Sequence, residues 1–109
     1  MSSFTRLWKA VVVLDTDLEE ELLAKFVELG ASGYTSVPCN GAGRQAVYQN
    51  PFGSHSQIRV EVIGTRTLCE SIVKYVSRPE YRGHPIAAYL EGVEVVQPER
   101  FVGHWPQDE

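Results

Sequence analysis

The chain has 109 residues, of which 43% are hydrophobic and 22% charged, and its net charge at pH 7 is −4. This length predicts a single domain, residues 1–109, with one modest hydrophobic core. The acidic charge argues against a nucleic-acid binder, which needs a basic surface, and no apolar run approaches the ~18 residues of a membrane span.

The first elements in the chain are a predicted strand and helix. Residues 8–14 form an apolar run rich in β-branched side chains, which is typical of a buried central strand. Asp15, Thr16 and Asp17 follow, and any of the three can cap a helix. If Asp17 is the cap, Glu20 completes a capping box. Apolar residues then recur at helical spacing as far as Gly30, which favours the end of a helix.

Three further elements follow a short strand that begins at Gly33. Residues 58–63 alternate strictly, which predicts a strand with Arg59 and Glu61 on the face opposite its apolar side chains. Thr65 is expected to cap a second helix that ends before Pro79. Residues 86–96 predict the last strand, and residues 97–109 form a tail without periodicity.

The order βαββαβ predicts an α+β fold, the ferredoxin-like sandwich, with a four-stranded antiparallel sheet and two helices on one face. The first strand is apolar on both sides, and the last strand alternates Tyr89 and Val93 against Leu90 and Glu94. A sheet that is apolar on both faces, with helices for only one of them, suggests an oligomer.

A long segment without periodicity, residues 38–57, separates the second and third strands. Such loops are uncommon in small domains and are usually functional or disordered. Gly41 and Gly43 allow backbone N–H groups to approach a phosphate, and Arg44 adds a planar cation. The alternative is a flexible loop with a solvated arginine. The dinucleotide-binding fingerprint is absent, because Ala46 stands at the position of its third glycine.

The turn Arg82-Gly83-His84 is the second candidate, either as a cap over the same anionic ligand or as a solvated polar turn. No spacing of His, Cys or carboxylates predicts a metal site. No nucleophile stands beside a base, so the chain is not expected to be an enzyme. Cys69 is predicted to be a small buried residue of the second helix. The N-terminus lacks the apolar region of a signal peptide, so a cytoplasmic location is expected.

Several stretches of the chain resemble the PII-like signalling proteins, in particular the branch encoded with bicarbonate transporters and carboxysomes. The resemblance covers about residues 9–96. It rests on the run ELGASGYT at 28–35, the loop base GAGR at 41–44, and the strands at 58–63 and 89–96.

This resemblance implies a homotrimer that binds adenine nucleotides in the clefts between subunits. The implied ligands are ADP, AMP, ATP or cyclic AMP, together with bicarbonate. The segment 38–57 then corresponds to the T-loop, which docks on a target protein. A membrane bicarbonate transporter or a carboxysome-linked protein is the implied target, so the chain would regulate inorganic carbon uptake and could associate with membranes or carboxysomes through that partner.

The resemblance also implies which residues contact the nucleotide. By this resemblance, the cleft is lined by Gly33, Tyr34 and Thr35, and the phosphates are held by Gly41, Gly43 and Arg44. The adenine is framed by Glu61, Ile63 and Gly64, and the ligand is capped by Arg82, Gly83 and His84. Nitrogen-sensing PII proteins carry further cations before the last strand and near its end, where this chain has Pro85, Val96 and Pro98. Phosphate charge must then come from Arg44, Arg82 or Arg100, which favours less phosphorylated ligands.

Three other readings remain open. A ferredoxin-like RNA-binding domain would need aromatic residues on a central strand, and residues 59–63 have none. A trimer like the divalent-cation-tolerance proteins would need metal ligands. A small enzyme would need a catalytic motif.

Overall fold

The longest strand lies in the middle of the sheet. In the computed structural model, which describes residues 3–41 and 56–102, β1 spans Thr5–Asp15. It pairs antiparallel with β3 (Gln57–Gly64) on one side and β4 (Ala87–Val95) on the other. β2 (Thr35–Cys39) pairs with the outer side of β3, giving the order β2-β3-β1-β4. The predicted ferredoxin-like sheet is therefore confirmed.

Two helices, α1 (Glu19–Leu29) and α2 (Arg66–Val76), pack on one face of this sheet. Alternate strand residues point toward them because the side-chain period of a strand is two. The fully buried residues that join helices and sheet are Ala10, Leu14, Val60, Leu22, Phe26, Cys69 and Ile72. Cys69 is the small buried residue that the sequence predicts, and burial raises the pKa of its thiol.

The start of α1 differs from the prediction. Asp17 lies inside a 3₁₀ helix, Thr16–Leu18, and α1 begins at Glu19 without a side-chain cap. The reason is that the β1–β3 ladder continues to Asp15↔Gln57, and the Thr16 amide still donates to the Ser56 carbonyl at 3.2 Å. The chain leaves the sheet too late for Asp17 to reach the capping position, so the predicted capping box is wrong.

The other helix ends follow local sequence. Gly30 ends α1 with φ of 122°, a conformation that glycine adopts without steric cost. Thr65 caps α2, because its Oγ1 accepts a hydrogen bond from the Leu68 amide at 3.1 Å. α2 ends before Pro79, which begins a short 3₁₀ helix, Pro79–Tyr81.

The segments without periodicity are shorter than predicted at their described ends. Pro38 and Cys39 belong to β2 and Gln57 belongs to β3, because backbone pairing extends strands past their apolar pattern. In the tail, a 3₁₀ helix spans Pro98–Arg100 and Phe101 follows it. Residues 42–55 and 103–109 lie outside the described ranges.

Candidate functional site

A pocket of about 210 Å³ lies where β2 begins and β3 ends. The pairing Thr35↔Glu61 brings the turn after α1 beside β3. The Ser32 hydroxyl donates to the Phe101 carbonyl at 3.1 Å, which holds the tail against the same turn. The residues lining the pocket are Ser32, Gly33, Tyr34, Thr35, Glu61, Ile63, Arg100 and Phe101.

The backbone of β3 reaches beyond its partner at this pocket. The ladder between β2 and β3 ends at Thr35↔Glu61, whereas β3 continues through Ile63 to Gly64. A strand edge without a neighbour presents amide and carbonyl groups that can bind another molecule. Ile63, which lies beyond the last β3 residue paired with β2, lines the pocket. Arg100 supplies a cation at the same place.

The carboxylate of Glu61 is held by two cations on the sheet face that carries no helix. Arg59 Nε donates to Glu61 Oε2 at 3.0 Å, and Lys9 Nζ lies 3.6 Å from Glu61 Oε1. Lys9 Nζ also lies 3.2 Å from Glu91, and Arg59 donates to the Tyr89 hydroxyl at 3.2 Å. Hydrogen bonds to Glu61 and then Tyr89 raise the pKa of the Arg59 guanidinium. Two cations and two carboxylates therefore form a network without net charge on this face.

The opposite end of the sheet brings together the other predicted segments. Asp15 is paired with Gln57, and Gln57 with Cys39, where the segment between β2 and β3 departs. A Cβ added at Gly41 would lie 2.9 Å from Gln57 Oε1, so Gly41 closely approaches that side chain. His84 Nδ1 lies 3.4 Å from Asp15 Oδ2. Gly41 and His84 thus lie on either side of the Asp15–Gln57 pair.

The turn Arg82–His84 is anchored to the rest of the fold through Tyr81. The Tyr81 hydroxyl donates to Glu21 Oε2 on α1 at 2.9 Å, and the His84 amide donates to the Tyr81 carbonyl at 3.0 Å. Tyr81 is only 6% exposed, and burial first, then its hydrogen bonds to Tyr75 and Glu21, raise the pKa of its phenol. These hydrogen bonds connect the turn to α1 through Tyr81.

The predicted site residues fall into two groups at the two ends of β3. Gly33, Tyr34, Thr35, Glu61 and Ile63 share the 210 Å³ pocket, with Gly64 at the end of the same strand. Gly41 and the Arg82–His84 turn lie at the other end. Gly43 and Arg44 lie outside the described residues.

Sequence reasoning missed Ser32 and Asp15. Ser32 holds the tail at the pocket through a hydrogen bond to a residue 69 positions away, and no local pattern signals such a contact. The sequence offers Asp15 as one possible helix cap, yet its side chain makes no capping hydrogen bond. Its position directly after the apolar run at 8–14 was the available signal, because a carboxylate there lies at the end of a central strand.

Within residues 3–41 and 56–102, no group of three or more His, Cys, Asp or Glu side chains could hold a metal ion. In the same ranges, no helix is both long and apolar enough to span a membrane.

The strand order and the two helices on one face define a small ferredoxin-like α+β domain, with a pocket at the end of β3. The family profile of nitrogen regulatory protein P-II matches residues 8–100. The chain therefore belongs to the P-II family. A search of curated protein sequences finds no match to it.

Solved structures of P-II relatives share this fold. One, described as a PII-like signalling protein from Thermus thermophilus, is 27% identical with a TM-score of 0.75, covering 92% of this chain and 99% of its own. CPII from Thiomonas intermedia, bound to ADP, AMP and bicarbonate, is 18% identical with a TM-score of 0.78, covering 94% and 100%. The GlnK–ATP complex of B. subtilis is 17% identical with a TM-score of 0.57, covering 83% of each chain.

Proposed function

We propose that the protein is a trimeric P-II regulator that binds an adenine nucleotide in each cleft between neighbouring subunits. The observation that carries this proposal is the separation of the predicted nucleotide residues into two groups. Gln57 and Gly64, at the two ends of β3, are about 24 Å apart at ~3.4 Å per residue. One chain therefore cannot bring Gly41 or His84 onto a mononucleotide held at Ile63, whereas a neighbouring chain can.

The size of the pocket supports the same conclusion. Its volume of about 210 Å³ is below the ~300–1,000 Å³ typical of small-molecule sites. A second chain that closes over the pocket would enlarge it into a full site. In this arrangement the β3 edge at Ile63 and Gly64 contacts the adenine. Gly41, Arg82, Gly83 and His84 of the neighbouring chain would contact the phosphates, as would Gly43 and Arg44 from the sequence.

The sheet face without helices is suited to hold the subunits together. Val11 and Leu7 on this face are already buried, and Tyr89 and Val37 are 43% and 45% exposed. Lys9, Arg59, Glu61 and Glu91 on this face are paired with one another within the chain, so covering the face leaves none of these four charges without a partner. In the proposed trimer, three copies assemble through this face and each cleft joins opposite ends of β3 from two neighbouring chains.

The ligands proposed for this chain are ADP and AMP, with bicarbonate, because CPII binds all three with the same fold. ATP is a further candidate, since the GlnK structure is an ATP complex. Cyclic AMP is not among the ligands named for these compared structures. We also propose a non-enzymatic role, in which nucleotide and bicarbonate control docking of the segment 38–57 on a transporter or carboxysome-linked target and so regulate inorganic carbon uptake.

A subunit-mixing experiment tests the composite cleft. Gly33 and Gly83 have no atom within 4 Å of an added Cβ, so Gly33→Trp and Gly83→Glu are expected to keep the fold. Gly33→Trp should fill the pocket and Gly83→Glu should repel phosphate, so that neither variant alone binds ADP in titration calorimetry. After subunit exchange at equal concentration, about a quarter of the clefts in a cyclic trimer combine two intact halves.

Recovered ADP binding at about that stoichiometry supports the proposal. If both variants lose binding and the mixture recovers none, the site lies within one chain. Failure of the unsubstituted protein to bind ADP, AMP or ATP, with or without bicarbonate, would remove the nucleotide-binding function. A pull-down of the target with ADP or AMP present tests the regulatory role, and a target that binds equally with and without nucleotide would contradict it.

A further inference from the structure

Asp15 is a buried carboxylate at the end of the sheet where the phosphates are proposed to bind. Its side chain is 10% exposed, and Asp15 and Gln57 are the buried polar residues among the described parts of the chain. Oδ2 lies 3.4 Å from His84 Nδ1, whereas Oδ1 is buried without a hydrogen-bond partner there. A buried carboxylate oxygen without a donor costs free energy.

No structural role accounts for this carboxylate. Asp15 stands at the N-cap of the 3₁₀ helix Thr16–Leu18, but its side chain makes no capping hydrogen bond. The contact with His84 uses only one oxygen and is long for a charged hydrogen bond. A neutral side chain such as asparagine could make the same contact without placing a negative charge in the interior.

The position of Asp15 relates it to both proposed phosphate-binding segments. Its ladder partner Gln57 closely approaches Gly41, and its Oδ2 faces His84 of the Arg82–His84 turn. The carboxylate therefore lies between two segments that would hold anionic oxygens. A negative charge at this position would repel those anionic oxygens, and the repulsion is stronger where solvent is partly excluded.

We propose that Asp15 limits the number of phosphates that the site accepts. Its negative charge opposes each added phosphoryl group, so it lowers the affinity for ATP more than that for ADP, and the affinity for ADP more than that for AMP. This inference rests on the proposed nucleotide site. It adds a residue that determines ligand selectivity without contributing a favourable contact.

The test compares Asp15→Asn with a matched control, Asp17→Asn. Asp17 is an exposed residue of the neighbouring 3₁₀ helix, so both substitutions change the net charge equally. Dissociation constants for AMP, ADP and ATP are measured by titration calorimetry without divalent cations, at low and at moderate salt. Circular dichroism and the melting temperature verify the fold, and Asp15→Ser serves as a second neutral variant if Asp15→Asn does not fold.

Asp15→Asn is expected to lower the Kd for ATP on the order of tenfold more than the Kd for AMP, because one opposing charge is removed close to the phosphates. The difference should shrink at higher salt, and Asp17→Asn should leave the ATP-to-AMP ratio within about twofold, since exposed charges are screened.

An unchanged ratio in folded Asp15→Asn or Asp15→Ser would overturn the inference while leaving the nucleotide site intact. An equal gain in affinity for AMP, ADP and ATP would also overturn the inference, because an equal gain would indicate a general change in the site. If the unsubstituted protein binds none of the three, the proposed function fails and this inference fails with it.

Discussion

Replacing Lys9 with methionine tests whether the sheet face without helices becomes a subunit interface. Lys9 Nζ contacts Glu91 at 3.2 Å and Glu61 at 3.6 Å, and its side chain is 17% exposed. Methionine keeps most of the apolar stem and removes the charge. Glu61 then retains its ion pair with Arg59 at 3.0 Å, whereas Glu91 loses its contact with the Lys9 ammonium.

The size of the effect depends on whether a neighbouring chain covers this face. In an isolated chain, losing partly exposed ion pairs costs at most about 1 kcal/mol. In a covered interface, a carboxylate left without its cation costs about 3–5 kcal/mol, which we discount to about 2–3 because Glu91 is 47% exposed before assembly. Three subunits give about 6–9 kcal/mol per trimer, and this raises the concentration for half-assembly on the order of 10²–10³-fold.

Sedimentation equilibrium across a dilution series measures this shift. Lys74→Met, at an exposed position on α2, changes the net charge equally and should leave assembly unchanged. The double variant Lys9→Met/Glu91→Met removes a cation together with its carboxylate, and should recover most of the lost assembly. If Lys9→Met reaches half-assembly at the same concentration as the unsubstituted protein, the reasoning is refuted. The charged network around Lys9 would then remain exposed to solvent in the assembled protein.

Four other predictions concern stability and binding. Thr65→Ala should lower the free energy of unfolding by about 1 kcal/mol in urea, because the α2 cap is lost, whereas Thr65→Ser should not; equal stability of both would contradict the cap. Gly30→Ala should lower the free energy of unfolding by about 1–2 kcal/mol, because alanine is strained at a φ of 122°. A variant more stable than the unsubstituted protein would contradict that strain. The raised pKa of Tyr81 predicts that its contribution to stability is present below its ordinary pKa of 10 and is lost as pH rises through the higher folded value. The free energy of unfolding, measured at increasing alkaline pH, should therefore fall more for the unsubstituted protein than for Tyr81→Phe. The same fall with pH in both proteins would count against this. Arg44→Ala should weaken nucleotide binding by about 1.5–3 kcal/mol in titration calorimetry, and an unchanged Kd would mean that Arg44 does not contact phosphate.

Alternation, apolar runs and local stop signals were enough to predict the order of elements. Residues 58–63 needed no tertiary information, because a half-buried strand must alternate. Gly30 and Thr65 ended and began helices as predicted, because their conformational and hydrogen-bonding properties act within a few residues of the chain. The run at 28–35 also carried the resemblance to the PII-like proteins.

Contacts between distant residues could be decided only by the tertiary structure. α1 begins at Glu19, after Asp17, because the backbone pairing of β1 with β3 continues as far as Asp15. The hydrogen bond from Ser32 to Phe101 and the approach of His84 to Asp15 each join residues 69 positions apart. Sequence patterns record the periodicity of a segment, whereas the partner of a side chain depends on how the whole sheet aligns. The division of the predicted site residues between the two ends of β3 could therefore be seen only in the folded chain.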